Sequence, residues 1–159
     1  MENTENKEVQ QDKEASQDKE EQAKIAATRD RLNRVLQDIK EWNATQFPEA
    51  DMPGQLMKLE EELHEFHHGQ GEEERLKELS DVVIVCAGLG RWQSLIGYNI
   101  LSMVIAGAHY TMVNKLLDDV EAKMAKNRAR VWLKDGDGKY HHDVKLDEPA
   151  NANGENTPA

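Results

Sequence analysis

The chain has one cysteine, few aromatic residues and thinly spread glycine and proline, and each shortage removes a class of protein. Cys86 alone cannot close an internal disulfide, so a disulfide-stapled secreted scaffold is excluded and a reducing compartment fits. Aromatics make up only 5% of the 159 residues, and long stretches contain neither Gly nor Pro, which argues against a β-sandwich or barrel. The N-terminus has no apolar signal region, so a cytoplasmic protein is expected. Basic residues are also in deficit: the net charge of −11 rules out a general surface for duplex nucleic acid, which needs clustered Lys and Arg. It leaves nucleotide binding open, because a metal ion can bridge acidic side chains to phosphate.

What is present is a single domain's worth of chain with helical patterning. The first 21 residues carry a net charge of −5, and apart from Met1 only Val9 and Ala15 are apolar, so residues 1–21 are expected to be a disordered tail. Residues 22–147 form the expected helical domain, and 148–159 a second disordered tail rich in Pro and Asn. Ile25, Leu32, Val35, Leu36, Ile39 and Trp42 recur at helical steps, predicting a helix over 22–42. Phe47-Pro48 and Met52-Pro53-Gly54 break it. Leu56, Leu59, Leu63 and Phe66 predict a second helix over 54–68, closed by Gly69-Gln70-Gly71. A third helix starts in the acidic turn Glu72-Glu73-Glu74 and is expected to reach Trp92. Its later half is apolar nearly all round, so it should be the most buried. Cys86 lies in that run as a small buried hydrophobe. Val113, Leu117, Val120 and Met124 predict a helix over 109–131. Residues 94–108 are open between helix and loop, and Asp135-Gly136 and Asp137-Gly138 suggest a short hairpin up to Val144.

The segment from Trp92 to Asn114 lacks Asp, Glu, Lys and Arg and could span a bilayer by length. It contains too many polar groups to face lipid, so a buried connection or a subunit interface is expected instead, and no membrane partner.

The chemistry is concentrated in two helical stretches. Glu62 and Glu65 are three residues apart on the second helix, and Glu78 and Asp81 three apart on the third, so each pair projects from one side. If the helices run antiparallel, the pairs meet. Glu78 shares a face with Val82, Val85 and Leu89, with Asp81 at the edge, and two carboxylates on a core-like strip are costly to bury alone. A divalent cation offsets that cost, and an all-oxygen donor set favours Mg²⁺ or Mn²⁺ over Zn²⁺. One to two or more ions fit four or five carboxylates. A solvated acidic face that docks a basic partner is the non-enzymatic alternative. A di-iron carboxylate bundle needs Glu-x-x-His on two helices, whereas Glu61-to-His64 and Glu65-to-His68 lie on one. A calcium loop at Asp135 fails, with Tyr140 where Gly is needed and Leu146 where Glu is needed.

Glu62-Leu63-His64-Glu65 followed by Glu78-Leu79-Ser80-Asp81 and the apolar run Val82 to Val85 resembles the signature of the MazG-like all-α nucleoside triphosphate pyrophosphatases. The resemblance runs from about Arg31 to His142. Its flanks are Trp42 with Phe47-Pro48, the stretch from Lys123 to Arg130, Trp132, and Asp137-Gly138 with His141-His142. They look like the small phage-type subgroup, which includes MazZ enzymes acting on purine deoxynucleotides. The resemblance implies an all-α, four-helix-type bundle that is an obligate homodimer or homotetramer. It implies hydrolysis of a nucleoside or deoxynucleoside triphosphate, dGTP or dATP, to the monophosphate and pyrophosphate. The metal ligands would be Glu62, Glu65, Glu78 and Asp81, with Glu61 as a further ligand or the group that orients water. Lys123, Asn127 and Arg130 follow at four- and three-residue steps and would hold phosphate. Trp42 and Trp132, and less directly Trp92 and Tyr98, are candidates to stack on the base.

Overall fold

The computed structural model describes the backbone of residues 2–134 and 140–142, with side chains described from Lys13 onward. The described chain is all-α apart from one small hairpin. Helices α1 (Glu2–Gln46), α2 (Met52–His68), α3 (Glu72–Leu89), α4 (Leu95–Ile105) and α5 (Tyr110–Ala129) are followed by strands β1 (Trp132–Lys134) and β2 (Tyr140–His142). The strands pair antiparallel, Trp132 opposite His142 and Lys134 opposite Tyr140.

Helix α1 runs unbroken from Glu2 to Gln46 and so extends through residues 2–21. No Gly or Pro precedes Pro48, and Glu, Lys, Gln and Ala are good helix formers. The packed half of α1 meets the nucleation cost, so the N-terminal half needs only propagation. A Glu20–Lys24 pair at 2.6 Å adds a one-turn link. Side chains from Lys13 to Lys24 remain exposed.

The other boundaries follow from local chemistry. Asp51 caps α2 by accepting from the Gly54 amide at 2.8 Å, so α2 starts two residues before the expected Gly54. Gly71, at φ +88°, makes the turn into α3, a backbone state that side chains with a Cβ rarely adopt. Helix α3 stops at Leu89 rather than Trp92, and Gly90–Trp92 tighten into a 3₁₀ turn. Residues left open between helix and loop form α4. The Asp137-Gly138 turn, Val144 and residues 148–159 lie outside the described residues.

Helix α3 is the hub, packed against α1, α2, α4 and α5. Val82, Val83, Cys86 and Leu89 on α3 are at most 2% exposed and meet Ile39 of α1, Leu59 of α2 and Leu117 and Val120 of α5 in one core. Helix α4 crosses α3 at close range: a Cβ on Gly97 would come within 2.6 Å of the Cys86 carbonyl oxygen. The outer side of α4 is uncovered, with Leu95, Tyr98 and Met103 each about 70% exposed or more. A fully buried connection is therefore not what the charge-free segment forms. Among the described residues, no helix is long and apolar enough to cross a membrane. Arg31 fastens α1 to α5 through Asn114, Asp118 and Glu121, and Asn114 also donates to the Thr28 hydroxyl at 2.7 Å.

Candidate metal centre

Helices α2 and α3 run antiparallel through the Gly69–Gly71 turn, and this brings their carboxylates together. Glu62, Glu78 and Asp81 each offer an oxygen, and all three oxygens lie within 4.8 Å of one another. Glu62 is buried, and the other two are half-buried. Three such groups repel one another and lose hydration, which suits a divalent cation with oxygen ligands. Glu62 shows that tension directly. Burial pushes its carboxyl above the ordinary range, and Asp81 and Glu65 add like charge, while the ammonium of Lys58 opposes both.

Glu65, one turn beyond Glu62, is exposed and lies outside the three-carboxylate group. It is close enough to act on Glu62 through charge. Glu61 is exposed and meets Lys58 at 3.2 Å. Lys58 also reaches Glu62 at 2.8 Å, so one ammonium holds both carboxylates. Lys58 was missed in the sequence, although its i,i+4 spacing to Glu62 was a readable signal.

Helix α5 delivers Lys123 to the centre. Its ammonium pairs with Asp81 and donates to the Lys77 carbonyl oxygen at 2.7 Å. Asn127 and Arg130, further along α5, bond to each other, with Arg130 Nη1 donating to Asn127 Oδ1 at 2.9 Å. The trio expected to hold phosphate is thus split: Lys123 touches the carboxylates, and the other two form a pair toward the hairpin.

The two tryptophans suggested for the base are brought together. Trp42 and Trp132 pack edge-on against Phe47, with ring centroids 5.2 and 5.1 Å from it, and Tyr140 covers Phe47 from the hairpin. The Trp132 indole donates to the Asn127 carbonyl oxygen at 2.8 Å. Trp92 is half-buried under the Arg91 guanidinium, 4.7 Å from its ring, and Tyr98 is exposed on α4. Arg91 also donates to the Phe47 and Pro48 carbonyl oxygens, which pins the link between α1 and α2.

No histidine joins the carboxylate group among the described residues. His64 and His68 stack on each other at 4.0 Å, and His68 Nδ1 contacts the His64 carbonyl oxygen. That leaves the di-iron reading without its nitrogen ligands. Cys86 is buried, and burial pushes its thiol up to about 12, so it is no nucleophile. Comparisons of the chain with family models, with curated proteins and with solved structures found no match.

Proposed function

We propose that this protein is a Mg²⁺- or Mn²⁺-dependent pyrophosphohydrolase of the MazG-like all-α kind. Its reaction would convert a nucleoside triphosphate, foremost the purine deoxynucleotides dGTP and dATP, to the monophosphate and pyrophosphate. The observation that carries this reading is the meeting of Glu62, Glu78 and Asp81 from two consecutive antiparallel helices, one of them buried. Their donors are all oxygen, which fits a hard divalent cation. When bound, such an ion supplies charge neutralisation for phosphate oxygens and lowers the pKa of a coordinated water.

The chain's own groups take the remaining tasks. Glu62, Glu78 and Asp81 hold the cation, with Glu65 one turn away as a fourth ligand. Glu61, exposed beside them, orients the attacking water. Lys123 stands at the carboxylates, where a polyphosphate oxygen can replace Asp81 as its partner. Arg130 offers a planar fork to the leaving pyrophosphate, with Asn127 positioning it. Trp42 and Trp132 provide aromatic surface for the base. The uncovered apolar side of α4 supports assembly as a homodimer or homotetramer, since contiguous exposed apolar patches mark contact surfaces. A cytoplasmic setting agrees with the single buried thiol.

A second reading has one observation in its favour: Lys58 and Lys123 already pair with Glu62 and Asp81, so the cluster could be a structural ion-pair network. Incubation with Mg²⁺ and each common dNTP and NTP, with products followed by chromatography, separates the two. The hydrolase reading expects monophosphate plus pyrophosphate, reduced at least about 100-fold in Glu78→Gln. Diphosphate plus phosphate would retain a nucleotidase and remove the proposed cleavage. No turnover with either metal would leave the network as structure.

A further inference from the structure

One buried polar atom has no partner. Among the described residues, Asn43 Oδ1 is the buried side-chain oxygen or nitrogen without a hydrogen bond, and Asn43 itself is 6% exposed. A buried acceptor left unpaired loses its hydration with nothing in return, so its persistence calls for a cause. Its surroundings supply one. The carboxamides of Asn43 on α1 and Gln55 on α2 converge over Gly88 of α3, where a Cβ would lie 3.1 Å from both side-chain nitrogens. Gln55 is half-buried, and the bond its side-chain nitrogen donates to the Val85 carbonyl oxygen is long at 3.4 Å. Asn43 Oδ1 has no bond to give up to a ligand, and Gln55 only a long one.

The position of this pair follows from helix geometry. Gln55 lies seven residues before Glu62 on α2, and Gly88 seven residues after Asp81 on α3. Seven residues are two turns, so each member of a pair faces the same way, about 10.5 Å apart along its helix. Because α2 and α3 are antiparallel, both displacements point in the same direction. The seam between the helices therefore has the carboxylates at one station and the amides at another, two turns on. A nucleoside triphosphate places its base edge and its phosphates apart on a similar scale.

We propose that Asn43 and Gln55 are the specificity-determining residues for the substrate's base, with Asn43 Oδ1 accepting a hydrogen bond from a ring or exocyclic N–H of that base. This rests on the pyrophosphohydrolase reading above. The tryptophans supply area to any ring, whereas a carboxamide distinguishes donors from acceptors on the ring's edge. Asn43 neither binds the metal nor touches the reacting phosphorus, so its loss acts on selection among substrates.

The test compares kcat/KM for the better of dATP and dGTP with that for purine deoxyriboside triphosphate, whose ring has no exocyclic groups. It is run on the full chain with Mg²⁺, in wild type, Asn43→Ala and Gln55→Ala. Partial unfolding of a variant lowers both rates together and cancels in their ratio. In wild type the ratio is expected to be about tenfold or more, the discrimination one such hydrogen bond gives. In Asn43→Ala it should fall to within about threefold of unity, mainly through KM, with Gln55→Ala intermediate. A ratio left unchanged in Asn43→Ala, while wild type still turns over, overturns the base-recognition role and spares the hydrolase. No turnover of any nucleotide by wild type removes the hydrolase and this role with it.

Discussion

The two halves of α3 share one helix and obey different rules. From Glu72 to Asp81 the helix is charged, and its buried surface is confined to a strip beside α2 and α5. From Val82 to Leu89 it is surrounded, and seven of those eight residues are buried, all but Ile84. The first half lowers the stability of the metal-free fold by gathering carboxylates, and the second half supplies the packing that tolerates this. A cluster of like charges is tolerated here because it is rigidly attached to the best-packed segment of the chain.

Mutations in the second half should cost the most stability. Leu89→Ala removes a side chain with 0% exposure at the junction of α1, α3 and α4, and is expected to destabilise by about 2–5 kcal/mol in urea melts. Gly97→Ala attacks the same half from outside. Its Cβ would clash with the Cys86 carbonyl oxygen, a backbone atom that cannot move aside, so α4 must shift, at about 1–3 kcal/mol by the same measurement. Full wild-type stability in Gly97→Ala would mean that α4 is not held against α3 in this way.

The first half should respond in the opposite direction. Glu62 holds its proton more tightly in the folded chain than in the unfolded one, because burial disfavours its charge. The protonated form therefore stabilises the fold below the unfolded carboxylate pKa. That contribution is lost as pH rises through the folded value. Near neutral pH and without divalent cations, Glu62→Gln is expected to raise Tm by a few degrees. The advantage should shrink as pH falls into the carboxylate range. Added Mg²⁺ should raise the wild-type Tm more than that of the variant, by mass action. A lower Tm in the metal-free variant would show that the Lys58 pair outweighs the burial.

The same division decides what could be read from the sequence. The apolar stripes of α2, α3 and α5, and the three-residue spacing of the carboxylates, are properties of single helices, and both were legible. That Glu62, Glu78 and Asp81 meet followed from one short Gly-rich turn forcing an antiparallel pair. That Glu65 stays outside the group did not follow, since spacing fixes the side of a helix but not the depth of each residue along its partner. Asn43 and Gln55 were not legible either. Their meeting over Gly88 depends on how α1 lies across both other helices, and no period in the sequence encodes that angle. The helical extension of α1 toward its N-terminus was not legible for a related reason: composition speaks to burial, while a helix already nucleated needs only residues that permit it to continue.

Lys123 belongs to two structures at once. Its ammonium joins α5 to α3 through Asp81 and the Lys77 carbonyl oxygen, and so fastens the bundle at its charged end. A divalent cation that takes Asp81 has to share that carboxylate with the ammonium or displace it. The cation's apparent affinity is then lower than that of the bare carboxylates by the strength of the pair it disturbs. In return, metal loading would release a positive charge beside the site at the moment a polyphosphate needs one. Under the proposed function, one side chain would make the two binding events reciprocal, each easing the other, with no movement of the backbone required.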